Sequence, residues 1–173
     1  GKTWAEIVKI KAEIPVQAKI GDTVVPGTFS VANPTAKPKA GVQTYTIVFN
    51  STDETYKNVT VVTGTVDVAK KLVGIRVEQP AAPISKVYDR TTGLTDDNKT
   101  AVQSCIILYG MLKGDDVSIN WSTMNARYNS ANVADAEKIE AAFPGTCLTG
   151  KDAGNYETAL TTICTIKAAA ITP

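Results

Sequence analysis

The stretch Leu148-Thr-Gly150-Lys-Asp152-Ala-Gly154-Asn155-Tyr156 lies between two runs that read as strands, Lys138–Phe143 before it and Tyr156–Ile166 after it. Glycine and asparagine tolerate positive φ, so this composition predicts a tight reversal. A turn between two such runs is a β-hairpin. The tyrosine that closes it, Tyr156, is expected to swing inward and plug the end of a sandwich.

Similar runs recur along the chain. Gln43–Phe49 alternates its largest side chains at Tyr45, Ile47 and Phe49, and period-two spacing puts those three on one buried face. Val59–Val68 is a strand run broken only by Gly64, and Leu72–Val77 is another. Trp4–Ile14 is expected to be extended rather than helical, because of its β-branched content and the lack of a cap. Pro15 interrupts it before Val16–Ile20 and the Gly21-Asp22 turn. Prolines at 80 and 83 make Glu78–Pro83 irregular, since they remove ladder donors. Beyond a loop at Gly93–Asn98, Ala101–Leu112 carries strand residues. Gly114–Trp121 reads as a turn into a strand, and Met124–Tyr128 continues extended. Val133–Ala142 has a helical alternative, being rich in Ala, Glu and Lys. Short strands at regular spacing imply an all-β fold of sandwiches. The domain boundary is placed near Lys71, giving domains 1–71 and 72–173, with Pro80–Pro83 as the rival boundary.

Chemistry is constrained mainly by what is missing. The chain of 173 residues has no histidine. That removes His-based acid–base catalysis, Ser-His-Asp and Cys-His arrangements, and zinc sites that need imidazole. Gly1-Lys2-Thr3 ends like a phosphate-binding loop but has no upstream glycines to cradle a phosphate. No catalytic residue, metal site or cofactor is therefore expected. A net charge of +1 without long runs of either sign points to no nucleic-acid partner. No apolar run approaches the ~20 residues that span a bilayer, so no membrane insertion is expected. The start at Gly1 reads as that of a fragment, whose export and anchoring signals would lie elsewhere.

Cys105, Cys147 and Cys164 are an odd number, which excludes complete internal pairing. They are expected to be small buried hydrophobes. One disulfide stays open, and the hairpin register argues against Cys147 with Cys164. Aspartates at Asp96-Asp97 and Asp115-Asp116, with Asp89 and Asp152 at one end of the second domain, raise calcium. Their spacing matches no calcium loop, and aspartates that fix turns are the expectation. Tyr88 and Tyr156 are expected as core plugs, the alternative being an exposed platform for sugars. Trp4 and Trp121 are binding candidates only if exposed. Asn50, Asn98 and Asn120, with Asn58, open N-glycosylation patterns, read as chance matches. A Lys–Asn isopeptide bond is conceivable, but no residue pattern selects a pair.

Two resemblances add to this. Ile84-Ser-Lys-Val-Tyr88-Asp89-Arg-Thr-Thr92 together with Leu148–Tyr156 resembles the YDG domain of bacterial surface proteins, with its K-V-Y-D-G-T-T start and L-x-G-x-D-A-G-N-Y turn. Gly114-Asp115-Asp116-Val117 is similar to that family's G-D-D-V, and Asn132–Lys138 to its N-V-G-x-x-K, with Ala134 for the glycine. Upstream, Pro26–Lys71 resembles a bacterial immunoglobulin-like repeat: P-G-T-F, then A-G-V-Q-T-Y-T-I-V-F, T-D-E-T-Y and V-D-V-A-K-K, with Ser51 where that family has proline.

The resemblances imply two tandem immunoglobulin-like β-sandwich domains of an extracellular or cell wall-attached bacterial protein. Such a pair would serve as a non-catalytic stalk or spacer whose partners are neighbouring repeat domains of the same chain. The alternative is an adhesive module that binds host glycan or matrix protein through end loops. The structural motif residues are Tyr88, Asp89, Gly150, Asp152, Gly154, Asn155 and Tyr156; which residues would bind a ligand is unknown.

Overall fold

A computed structural model describes residues 1–9, 18–57, 59–159 and 161–173. Regular structure is mostly strand, and the chain divides into two compact units, Gly1–Ala69 and Lys70–Pro173. Among the described residues no helix is long and apolar enough to cross a membrane.

The first unit contains a short helix α1 (Trp4–Ile7) and strands β1 (Ala18–Ile20), β2 (Thr23–Val25), β3 (Gly27–Val31), β4 (Gly41–Ser51) and β5 (Val59–Val68). Helix α1 replaces the strand expected at Trp4. The Glu6 carboxylate accepts from the Thr3 backbone N–H (2.6 Å) and hydroxyl (3.1 Å), the capping-box spacing that the sequence carried unnoticed. Residues 10–14 of that expected strand, and the Pro15 that would interrupt it, lie outside the described residues.

Strands β3, β4 and β5 form an antiparallel sheet, while β1 and β2 make a separate hairpin. On β4, Phe49 is buried and stacks at a tilt on Phe29, with ring centroids 5.1 Å apart. Tyr45 and Ile47 are only half-buried. Tyr45 lies over Gly64 of β5, where any Cβ would strike its ring, so the glycine in the run is a place for an aromatic side chain.

The second unit runs β6 (Lys71–Leu72), β7 (Gly74–Val77), β8 (Ile84–Val87), α2 (Asp96–Ser104), β9 (Ile106–Tyr109), β10 (Ser118–Ile119), β11 (Asn125–Tyr128), β12 (Ile139–Pro144), β13 (Leu148–Thr149), β14 (Tyr156–Glu157), β15 (Thr161–Ile166) and β16 (Ala169–Thr172). Helix α2 occupies what was expected to be loop and the start of a strand. Thr95 caps it by accepting from the Asn98 N–H, and Asp96 and Asp97 in the first turn suit the positive end of its dipole. The helical alternative at Val133–Ala142 is not adopted; β12 begins at Ile139.

Strands β12 and β15 do pair antiparallel, Ile139 opposite Ile166 and Pro144 opposite Thr161. The stretch between them is not one tight reversal. Its β13 leaves to pair with β10, and its β14 leaves to pair in parallel with β6. The predicted hairpin is thus a strand pair whose connection is spent tying down two distant parts of the unit.

Near the start of the unit the chain changes partners. Strand β7 pairs antiparallel with β9, whereas β8 pairs in parallel with the last strand, β16. At the crossover the Gln79 side chain donates to the Thr165 carbonyl (3.0 Å) and accepts from the Lys167 N–H (2.8 Å), standing in for a strand on the edge of β15. The core gathers Ile84, Val102, Ile106, Ile119, Tyr128, Ile139, Phe143, Ile166 and Ile171. All three cysteines are buried and free; Cys164 faces Ala141, and Cys147 lies beyond the end of β12. Burial pushes the Cys164 thiol pKa up, as for an inert core residue.

Candidate functional site

The first motif stretch forms a turn at the end of β8. Alternation along this strand puts Ile84 and Lys86 inward and Ser85 and Val87 outward. A buried lysine needs partners, and Lys86 has an acceptor for each of its three ammonium protons: Asp89 Oδ1 (2.7 Å), the Thr91 carbonyl (2.9 Å) and Thr91 Oγ1 (3.0 Å). The same Asp89 oxygen accepts from the Thr91 N–H (2.9 Å) and hydroxyl (2.9 Å). The Lys86 bond, followed by that from the Thr91 backbone, holds the Asp89 pKa down at about 2. Between them Arg90 takes positive φ, +66°, in the position where the family motif has glycine.

Lys86 also lies over the ring of Tyr128, 5.6 Å from its centroid. Tyr128 is fully buried, and its hydroxyl donates to the Ile84 carbonyl (3.0 Å) while accepting from the Asn98 side-chain amide (3.0 Å). This node joins β8, α2 and β11. Sequence reasoning gave no role to Lys86 or Tyr128 and saw Asn98 only as a glycosylation pattern, although Lys86, Asp89 and Thr91 at i, i+3 and i+5 spell out the turn. The node also commits two side chains. Asn98 spends its amide on a buried bond, which removes it as a glycan acceptor. Lys86 spends its ammonium on an ion pair with Asp89 and on Thr91.

The second motif stretch grips the Gly114–Val117 loop. Asp152 Oδ2 accepts from the Asp116 N–H (2.9 Å), and the Asp116 carbonyl accepts from the Asp152 N–H (3.1 Å). Gly150 takes φ +115° with the Asp116 carbonyl directly against it, where any Cβ would collide. Gly154 and Asn155 do not need positive φ, contrary to expectation; they form a single 3₁₀ turn, Ala153–Asn155, in which the Asn155 N–H donates to Asp152 O. Tyr156 is 3% exposed, plugs inward as expected, donates its hydroxyl to Asp115 and accepts from the Leu112 N–H (3.0 Å). Burial, then the Asp115 bond, raises its pKa.

The two motif tyrosines part company. Tyr88 was expected in the core but is 46% exposed, beside Val87 at 69%. The cause is register: the buried positions of β8 are Ile84 and Lys86, and the chain leaves the strand at Val87, so Tyr88 has no core to enter. Asp89 and Asp152 fix separate turns. Trp121 packs edge-on against Phe143 (6.1 Å) and Trp4 tilts against Tyr45 (6.2 Å), so neither is a bare aromatic platform.

Among the described residues no three His, Cys, Asp or Glu side chains gather as a metal site. An open groove of about 490 Å³ is lined by Thr92, Arg127, Tyr128, Asn129, Lys138 and Glu140. Its carboxylate, Glu140, pairs with Lys138 at 2.8 Å, which lowers its pKa. Asn129 is used up by the Asp135 carbonyl and the Glu137 and Lys138 N–H groups.

No curated protein and no solved structure matches this chain. The YDG domain matches residues 69–163, which takes in the Lys86–Thr91 turn, the Gly114–Val117 loop and the Gly150–Tyr156 turn that grips it. By that match over more than half its length, the chain belongs to the YDG domain family.

Proposed function

We propose that the chain is a non-catalytic pair of immunoglobulin-like sandwich modules from a bacterial secreted or cell-surface protein, acting as a stalk or spacer. The observation that carries this reading is where the polar chemistry of the motifs goes. Asp89, Asp115 and Asp152, Lys86, Asn98, Tyr128 and Tyr156 all bond to backbone or to side chains within the unit. Their chemistry holds turns and loops and leaves little for a substrate. The change of partner from β9 at β7 to β16 at β8 supports an immunoglobulin-like arrangement, since such a crossing can tie two sheets of a sandwich together.

The test is binding of the purified chain to a panel of glycans, mucin and extracellular matrix proteins, with and without calcium. No saturable binding by the folded chain is the expected result. The adhesive reading has one observation in its favour, the exposed Val87-Tyr88 pair beside Arg90. Saturable binding that Tyr88→Ala abolishes would establish it instead.

A further inference from the structure

A strand pair pulled along its own axis shares the load over all its hydrogen bonds, whereas one pulled across its axis opens a bond at a time. The β8/β16 pair is parallel, with Ile84 opposite Ala169 and Val87 opposite Thr172. β8 lies towards the side where the chain enters the unit, and β16 is its last strand. Tension on the two ends of the chain reaches β8 through β6 and β7, which are held by β14 and β9, and once it does so it draws β8 backward and β16 forward along one line, which is shear. The pairing runs past both strand ends: the Ile84 N–H donates to Ala168 O (2.9 Å) and the Tyr88 N–H to Thr172 O (2.8 Å). Thr172 adds a hydroxyl bond to Lys86 O at 3.3 Å.

Lys86 makes sliding costly. A slip of one residue would turn the inward face of β8 outward; a slip of two keeps the faces but carries Lys86 towards the place of Ile84. The turn is itself held to β11, where the Tyr128 N–H donates to Thr92 O (2.9 Å), so the slip draws the ammonium away from Asp89 and Thr91 into the apolar core, and a buried charge without its partner is strongly unfavourable. We propose that β8 and β16, pinned by Lys86, form a tensile clamp by which the Lys70–Pro173 unit carries load along the chain. The proposal rests on the spacer reading for the source of the load; the resistance itself belongs to the fold and is measured apart from it.

The experiment stretches the full chain by its two ends in a single-molecule force measurement. Alongside whatever the Gly1–Ala69 unit releases, the expected result for the Lys70–Pro173 unit is a sharp rupture that releases roughly 300 Å of contour, the chain between Val87 and Ala169. Tyr88→Pro removes the Tyr88–Thr172 bond, and Lys86→Met removes the pin. Each variant, first shown to be folded, is expected to lower the rupture force by about a third or more, since forced unfolding reports the unfolding barrier. Ile119→Val, a core change outside the clamp, is expected to lower denaturant stability and leave the force nearly unchanged. The clamp is overturned if the unit yields without a sharp rupture, or if the folded clamp variants keep the force of the unaltered chain. The two variants act on different atoms, so one that fails to fold leaves the other to decide. A sharp rupture in a chain that also binds a glycan would keep the clamp and remove the spacer reading.

Discussion

Arg90 holds a left-handed backbone, φ +66°, that costs a side chain with a Cβ roughly 1–2 kcal/mol. Glycine loses that strain but gives up unfolded-state order. Arg90→Gly is therefore expected to raise stability by about 0.5–1 kcal/mol, read as a higher urea midpoint at unchanged slope. Gly150→Ala runs the other way. It adds strain at φ +115° and drives a methyl group into the Asp116 carbonyl, for a loss of about 2–4 kcal/mol by the same measurement. Asp89 sets a pH dependence. Its folded pKa of about 2 lies below the ordinary 3.8, so its contribution is complete above that value and is lost as pH falls from 3.8 towards 2. Acid unfolding followed by circular dichroism should show a shallower dependence in that window for Asp89→Asn. Lys86 itself was hard to read from sequence, because alternation marks position 86 as inward while the residue type says outward. Only Asp89 and Thr91 reconcile the two.

The period-two runs were the legible elements. Val59–Val68 stands as one strand, and Gln43–Phe49 lies within β4, because a strand with a regular face is written locally. Helix α1 was missed since β-branched content outweighed the Thr3–Glu6 spacing, and α2 since Asp96-Asp97-Asn98 reads as loop without regard to Thr95 as its cap. The Leu148–Tyr156 connection was misread for a different reason. Its partners, β10 and β6, are far away in sequence, and turn chemistry cannot announce them. Tyr128, which bonds β8 and α2 together, gave no local sign either. Removing its hydroxyl by Tyr128→Phe leaves the buried Asn98 amide without its acceptor and takes one donor from the Ile84 carbonyl. A loss of about 2–3 kcal/mol is expected in thermal or urea unfolding, with the Lys86–Asp89 turn intact by amide chemical shifts.

Over the whole molecule, the described residues form two compact units whose regular structure is mostly strand, and the motif aspartates of the second are committed to its loops. A chelator should therefore leave the melting temperature unchanged, and added calcium should not raise it; a shift with added calcium would reveal a bound ion through linkage. The Gln79 bridge has a consequence at this scale. In a filament of repeated domains each copy meets its neighbours at high effective concentration, and a bare strand invites them to exchange or knit together. With its amide seated on Thr165 and Lys167, Gln79 takes up part of that edge from within, and under the spacer reading proposed above this is expected to help neighbouring copies remain separate folds.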